Sequence, residues 1–130
     1  MNIPQDLKYT KSDEWIRVEG NQASMGITDY AQSQLSDIVY VDVFVKPGDT
    51  LAQGKPVASV ESVKAASEIY LPAGGKVEAV NSELGSVPES VNKDPYGAGW
   101  MVKLTLSDPA ELGSLMDSKT YEAYCAGRGH

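Results

Sequence analysis

Glu61-Ser62-Val63-Lys64-Ala65-Ala66-Ser67-Glu68 contains good helix formers and neither glycine nor proline, so propensity alone predicts a helix across it. Its surroundings are of another kind. Upstream, Pro56-Val57-Ala58-Ser59-Val60 reads as a strand; downstream, the breaker Ala73-Gly74-Gly75 leads into a second strand at Lys76-Val77-Glu78-Ala79-Val80. Farther back, Ile38-Val39-Tyr40-Val41-Asp42-Val43-Phe44-Val45 is rich in β-branched and aromatic residues and stops at the turn sequence Lys46-Pro47-Gly48-Asp49. Alternation marks Trp15-Ile16-Arg17-Val18 and Ala23-Ser24-Met25-Gly26-Ile27 as arms of a hairpin around Glu19-Gly20-Asn21-Gln22. Thr28 or Asp29 can cap a short helix through Leu35, a side-chain oxygen accepting from a free first-turn amide. In the last strand, Trp100 to Leu106, residues Trp100, Val102, Leu104 and Leu106 share one face. Asp108-Pro109-Ala110-Glu111 has the form of a capping box with proline at the first helical position, and Ser118 starts a second helix through Tyr121 and Tyr124. Many short strands with helices at the margins predict a mostly β fold, a small sandwich or flattened barrel. Its short C-terminal helices fall at about 108–126 and its tail at 127–130.

The 130 residues carry no linker composition, so one domain over 1–130 is expected. Hydrophobic residues make up 42% of the chain, and no apolar run approaches the ~18 residues of a membrane span. The single Cys125 cannot form an internal disulfide. Eleven Lys+Arg face 18 Asp+Glu, a net charge of −7, and neither the lysines nor Arg17 and Arg128 cluster into the basic face that displaces phosphate counterions. No nucleic-acid partner is expected. The segment from Met1 to Asp6 has no export or organelle signal, which fits a bacterial cytoplasmic protein or a processed mitochondrial matrix form.

Chemistry of its own is sparsely supplied. A serine or cysteine nucleophile usually requires a base, and the one histidine, His130, is the last residue of a Gly-containing tail. Cys125 and His130 are too few for a structural zinc site, and no phosphate loop or dinucleotide fingerprint is present. Asp13, Glu14, Glu61 and Glu68 are candidates for paired carboxylates, weighed against the plainer reading that they are solvated surface groups. A lysine can instead act as a modified handle: its amine attacks an activated acyl group and becomes an amide. An ordinary lysine amine, with pKa near 10.4, is almost wholly protonated at neutral pH. An enzyme must therefore select one of the nine by its surroundings.

With Lys64 in the attachment position, Glu61 to Glu68 resembles the lipoyl-lysine motif of the glycine cleavage H-protein family. The likeness is reinforced by Ser12-Asp13-Glu14-Trp15, by Gly26-Ile27-Thr28-Asp29-Tyr30-Ala31-Gln32 with Leu35-Ser36-Asp37-Ile38-Val39, and by Asn92-Lys93-Asp94-Pro95-Tyr96-Gly97 with Gly99-Trp100. Order and spacing agree from about Leu7 to Tyr124.

The resemblance implies a hybrid barrel-sandwich like other lipoyl and biotinyl carriers, with Lys64 at the tip of a β-hairpin in place of the helix that propensity favours. It implies lipoate on Lys64, with Glu61, Ser62, Val63 and Ala65 as the motif around it. A cleft of Ser12, Glu14, Ser67 and Glu68 would hold the loaded arm. The protein would be a non-catalytic, monomeric carrier. It would take an aminomethyl group from the pyridoxal-phosphate P protein to the T protein, pass electrons to the flavin-dependent L protein, and be loaded by a lipoate ligase or lipoyl transferase. Three positions depart from the family's usual pattern: Asp13 stands where histidine is common, Val43 to Gly48 replaces a Leu-Pro turn, and Ser36 replaces glycine, which a negative φ would accommodate. Two alternatives share the chemistry, an H-like relay donating lipoyl groups to other complexes and a lipoyl domain of a 2-oxo-acid dehydrogenase. The latter usually has Asp-Lys-Ala at its tip, whereas here Val63 precedes Lys64.

Overall fold

A two-residue strand, β1 (Lys8–Tyr9), pairs with β2 (Glu14–Glu19), and β2 turns through Gly20 and Asn21 into β3 (Gln22–Ile27), as the alternation there predicts. The computed structural model describes residues 1–128; His130, the histidine weighed above as a base and a zinc ligand, lies outside them. After β3 the chain enters α1 (Asp29–Leu35), capped by Thr28, whose hydroxyl accepts from the Ala31 amide at 3.1 Å. Then follow β4 (Ile38–Val43), β5 (Thr50–Leu51), β6 (Pro56–Ser62), β7 (Ala66–Tyr70) and β8 (Gly75–Val80). A 3-10 turn at Ser82–Gly85, a short helix α2 (Ser90–Lys93), strand β9 (Val102–Leu106), a second 3-10 turn at Pro109–Ser114 and α3 (Ser118–Ala126) complete the order.

All strand pairs are antiparallel. They form one six-stranded sheet in the order β1-β2-β3-β9-β8-β5 and one three-stranded sheet in the order β4-β6-β7. The architecture is mostly β, a hybrid barrel-sandwich with short helices. Its core joins Ile16, Met25 and Leu104 of the larger sheet to Val41, Val57, Val60 and Ile69 of the smaller. A second, aromatic cluster anchors α3: the Tyr121 ring stacks on Tyr9 at 4.6 Å, and Trp15, Tyr96 and Cys125 surround them.

The segment from Glu61 to Glu68 is a hairpin, not the helix its propensity favours. Propensity differences among these residues are at most about 0.7 kcal/mol each. Burial of Val57, Val60 and Ile69 on the strands that continue into the tip contributes about 1.5–3 kcal/mol per side chain, and the strand geometry wins. Other boundaries also move. Asp108 caps its 3-10 turn through the Ala110 amide, but Glu111 does not reach back to complete the box; its carboxylate accepts from the Gly74 amide at 2.9 Å. The cap of α3 is Asp117, one residue before Ser118. Strand β4 stops at Val43 rather than Val45, and Trp100 precedes β9.

Ser36, expected to take a negative φ, has φ +67° and ψ −151°, a region nearly reserved for glycine. It is held there because its amide donates to Gln32 O and its carbonyl accepts from Asn92 Nδ2. Ser36→Gly should raise stability by about 1 kcal/mol, namely about 1–3 kcal/mol of relieved strain less about 0.4–1 kcal/mol of added unfolded-state entropy. A lower urea midpoint for the variant would contradict this account.

Candidate functional site

Lys64 lies between β6 and β7 at the tip of their hairpin, where Glu61 pairs with Ala66 and Val60 with Ser67. The tip is built around Ser62. Its amide donates to the Ala65 carbonyl at 2.8 Å, and its hydroxyl accepts from the amides of Lys64 at 3.1 Å and Ala65 at 2.9 Å. The same hydroxyl donates to the Ala65 carbonyl at 3.1 Å, so its donor and both lone pairs are used. Lys64, Ala65 and Val63 are exposed, Val63 by 70%.

One backbone bond ties this tip to the rest of the molecule, from the Val63 amide to the Asp37 carbonyl at 3.1 Å. The receiving loop is itself stapled by Asn92 of α2. Its Oδ1 accepts from the Ile38 amide at 2.8 Å, and its Nδ2 donates to Gln32 Oε1 and Ser36 O, both at 2.9 Å. The sequence marks Asn92 only through the resemblance; nothing local points to a contact 54 residues away.

Beside the hairpin is a cleft of about 150 Å³, with Ser12, Asp13 and Ser67 as polar lining and Ile27, Leu35 and Ile69 as apolar lining. Glu14 is not on its surface. The side chain is fully buried, with Oε1 accepting from the hydroxyls of Thr10 and, at 2.6 Å, Ser12, and Oε2 accepting from the Tyr70 amide at 3.1 Å. Glu68 faces elsewhere: with Glu61 and Tyr40 it lines a separate groove of about 330 Å³. The four carboxylates weighed as a converging set thus divide, Glu61 with Glu68 on that groove and Asp13 with Glu14 where the turn enters β2. Burial pushes the Glu14 carboxyl above its ordinary 4.5, and the nearby Asp13 charge adds to this; the bonds from Ser12, Thr10 and Tyr70 offset only part of the rise.

The family model "Glycine cleavage H-protein" matches residues 7–128. The chain belongs to the glycine cleavage H-protein family. A glycine cleavage system H protein of Symbiobacterium thermophilum is 53% identical over 123 residues, 95% of each chain. That of Nitratidesulfovibrio vulgaris is 51% identical over 130 residues and the whole of both. The crystal structure of a glycine cleavage system H protein from Mycobacterium marinum superimposes with a TM-score of 0.81 at 32% identity, over 93% of this chain and 97% of that one. Family membership makes this a glycine cleavage system component of the lipoyl-carrier type.

The raised Glu14 pKa has a signed consequence. Between the unfolded and folded values the native state binds more protons, so this group's contribution is fully present below pH 4.5 and declines as pH rises through the folded pKa. Glu14→Gln removes that slope. The stability of the wild type relative to the variant should therefore fall between pH 4 and pH 7, read from urea midpoints; a parallel pair of profiles would contradict it.

Proposed function

We propose that this chain carries lipoate on Lys64 and serves as the shuttle of the glycine cleavage system, moving an aminomethyl group from the P protein to the T protein and electrons to the L protein. The placement of Lys64 carries the reading: an exposed amine on a backbone tip whose amides are already satisfied by Ser62. A loading enzyme can enclose such a side chain without unfolding anything beneath it. Val63 and Ala65 are small flanks, and Glu61, in register with Ala66 at the root of the tip, supplies a charge for a lipoate ligase or lipoyl transferase to recognise. Bound as an amide, lipoate supplies a dithiolane that alternates between oxidised and reduced states and can hold a one-carbon amine fragment.

The narrow cleft supports a resting place for the arm. Its apolar lining suits a hydrocarbon chain, and the hydroxyls of Ser12 and Ser67 beside Asp13 suit a polar end. Glu14 acts from below by fixing Ser12, and Glu68 belongs to the groove on which partners close. The partner enzymes perform the chemistry, and tethering makes each transfer near-intramolecular, with effective concentrations around millimolar for short flexible linkers. The whole chain is read as one carrier unit, a monomer that visits its partners in turn. The bacterial relatives favour a bacterial cytoplasm, and no helix among the described residues is long and apolar enough to cross a membrane.

Incubation with lipoate ligase, ATP and lipoate should add one lipoyl-sized mass increment, mapped to the peptide containing Lys64 and absent from Lys64→Arg. Modification of another lysine would overturn the assignment. Reconstitution with P, T and L proteins then separates a glycine-cleaving shuttle from a relay of lipoyl groups. Ser62→Ala leaves two exposed tip amides to water in place of their acceptor, so the thermal midpoint should change little while lipoylation slows about tenfold as the tip loses its fixed shape.

A further inference from the structure

The turn that carries Ser12 is held from the opposite end of the chain. Asp13 has φ +75°, a conformation that a non-glycine residue keeps only where its surroundings over-determine it. Its carbonyl accepts from the Thr28 amide at 3.0 Å, and its Oδ1 accepts from Tyr121 Oη at 2.9 Å and Arg128 Nη1 at 2.8 Å. The other guanidinium nitrogen, Nη2, donates to the Lys11 carbonyl at 3.0 Å and to Tyr124 Oη at 3.1 Å. The guanidinium lies over the rings of Tyr30 on α1, at 4.6 Å, and Tyr124 on α3, at 4.3 Å. One planar cation thus joins two acceptors on either side of Ser12 to both helices, a geometry that an ammonium group cannot reproduce.

We propose that Arg128 is a positioning residue for the cleft beside Lys64, clamping Lys11 and Asp13 so that Ser12 and Asp13 face Ser67. The proposal rests on the reading that this cleft holds the lipoyl arm. Anchoring of α3 does not need the clamp, because Tyr121 and Cys125 are already buried against Tyr9 and Trp15, and Arg128 follows the helix's last residue, Ala126. The guanidinium bonds directly to Lys11 and Asp13 of the turn, whereas α3 is held chiefly by its buried side chains, so loss of Arg128 frees the turn before it frees the helix.

The test uses the full chain, bare and lipoylated, as wild type, Arg128→Gln, Asp13→Asn and the double variant. In the bare protein, amide hydrogen exchange at Asp13 and Glu14 should quicken about tenfold in each single variant, and no further in the double, because both remove one charge-assisted pair. The amides of Tyr121 and Cys125, bonded within α3, should quicken far less than those of the turn. Arg128→Lys, which keeps the charge but not the double contact, should exchange at an intermediate rate, and it takes the place of Arg128→Gln if that variant does not fold. Lipoylation should raise the wild-type thermal midpoint and leave that of the variants unmoved, whereas a purely structural role would lower bare and loaded forms alike. Unchanged exchange at Asp13 and Glu14, or a lipoylation increment that survives the substitutions, overturns the clamp alone. A wild type that gains nothing on lipoylation overturns the parked arm and the clamp with it.

Discussion

The Glu14 carboxylate joins the two sheets where the cleft lies between them. It belongs to β2 of the six-stranded sheet, yet its Oε2 accepts from the Tyr70 amide on the outer edge of β7 in the three-stranded one. Edge strands present unpaired amides, and burying one without an acceptor costs about 1–3 kcal/mol. A buried carboxylate costs more still unless it is surrounded by donors. Here each defect answers the other, with Thr10 and Ser12 completing the donor set. Because the Ser12 hydroxyl donates to Glu14, movement of the turn would take a donor from a buried carboxyl, so this bond holds the cleft side of the turn to the seam between the sheets.

The lysine hairpin depends on the same division of labour between a rigid base and a free tip. Val57, Ala58, Val60 and Ile69 bury the lower part of β6 and β7, while from Glu61 to Glu68 every residue but the half-buried Ser62 is exposed. Above the buried part, stiffness comes from hydrogen bonds alone: Ser62 within the tip and the Val63–Asp37 contact beside it. A carrier needs this arrangement. Flexibility in the backbone would enlarge the volume the arm searches and dilute each encounter, whereas flexibility confined to a side chain and its attached arm preserves effective concentration. The strained Ser36 and the staple of Asn92 belong to this requirement, since together they place the Asp37 carbonyl where Val63 can reach it.

Much of the scaffold was legible because it follows from local periodicity. The alternation in β2, β3 and β9, the turn at Gly20, and the Thr28 cap of α1 all depend on residues within a few positions of one another. The Glu61–Glu68 segment was not legible in this way, since its helical propensity is genuine and is overruled by Val57, Val60 and Ile69, which lie outside it; only the family resemblance pointed to a hairpin. The burial of Glu14 was not legible for a related reason. A carboxylate two residues after a serine looks solvated in sequence, and its burial depends on Tyr70, 56 positions away. Asp13 and Arg128 are 115 positions apart, and no periodicity relates them.

The alternation of β7 divides its side chains between two surfaces of one hairpin. Ile69 turns inward to the core and the cleft, and Ser67 shares the cleft with it two residues along the same strand. Glu68, between them, turns to the opposite groove with Glu61 and Tyr40. The cleft and the groove thus meet at Ser67, which lines both, while Asp13 belongs to the cleft alone and Glu61 and Glu68 to the groove alone. A one-residue slip in the β6–β7 register would exchange Ser67 and Glu68, placing a carboxylate against Ile27 and Leu35 and a serine among the acids. Such a slip of β7 would also put Ile69 out of the core, so the hydrophobic pattern that anchors the hairpin fixes its chemistry as well.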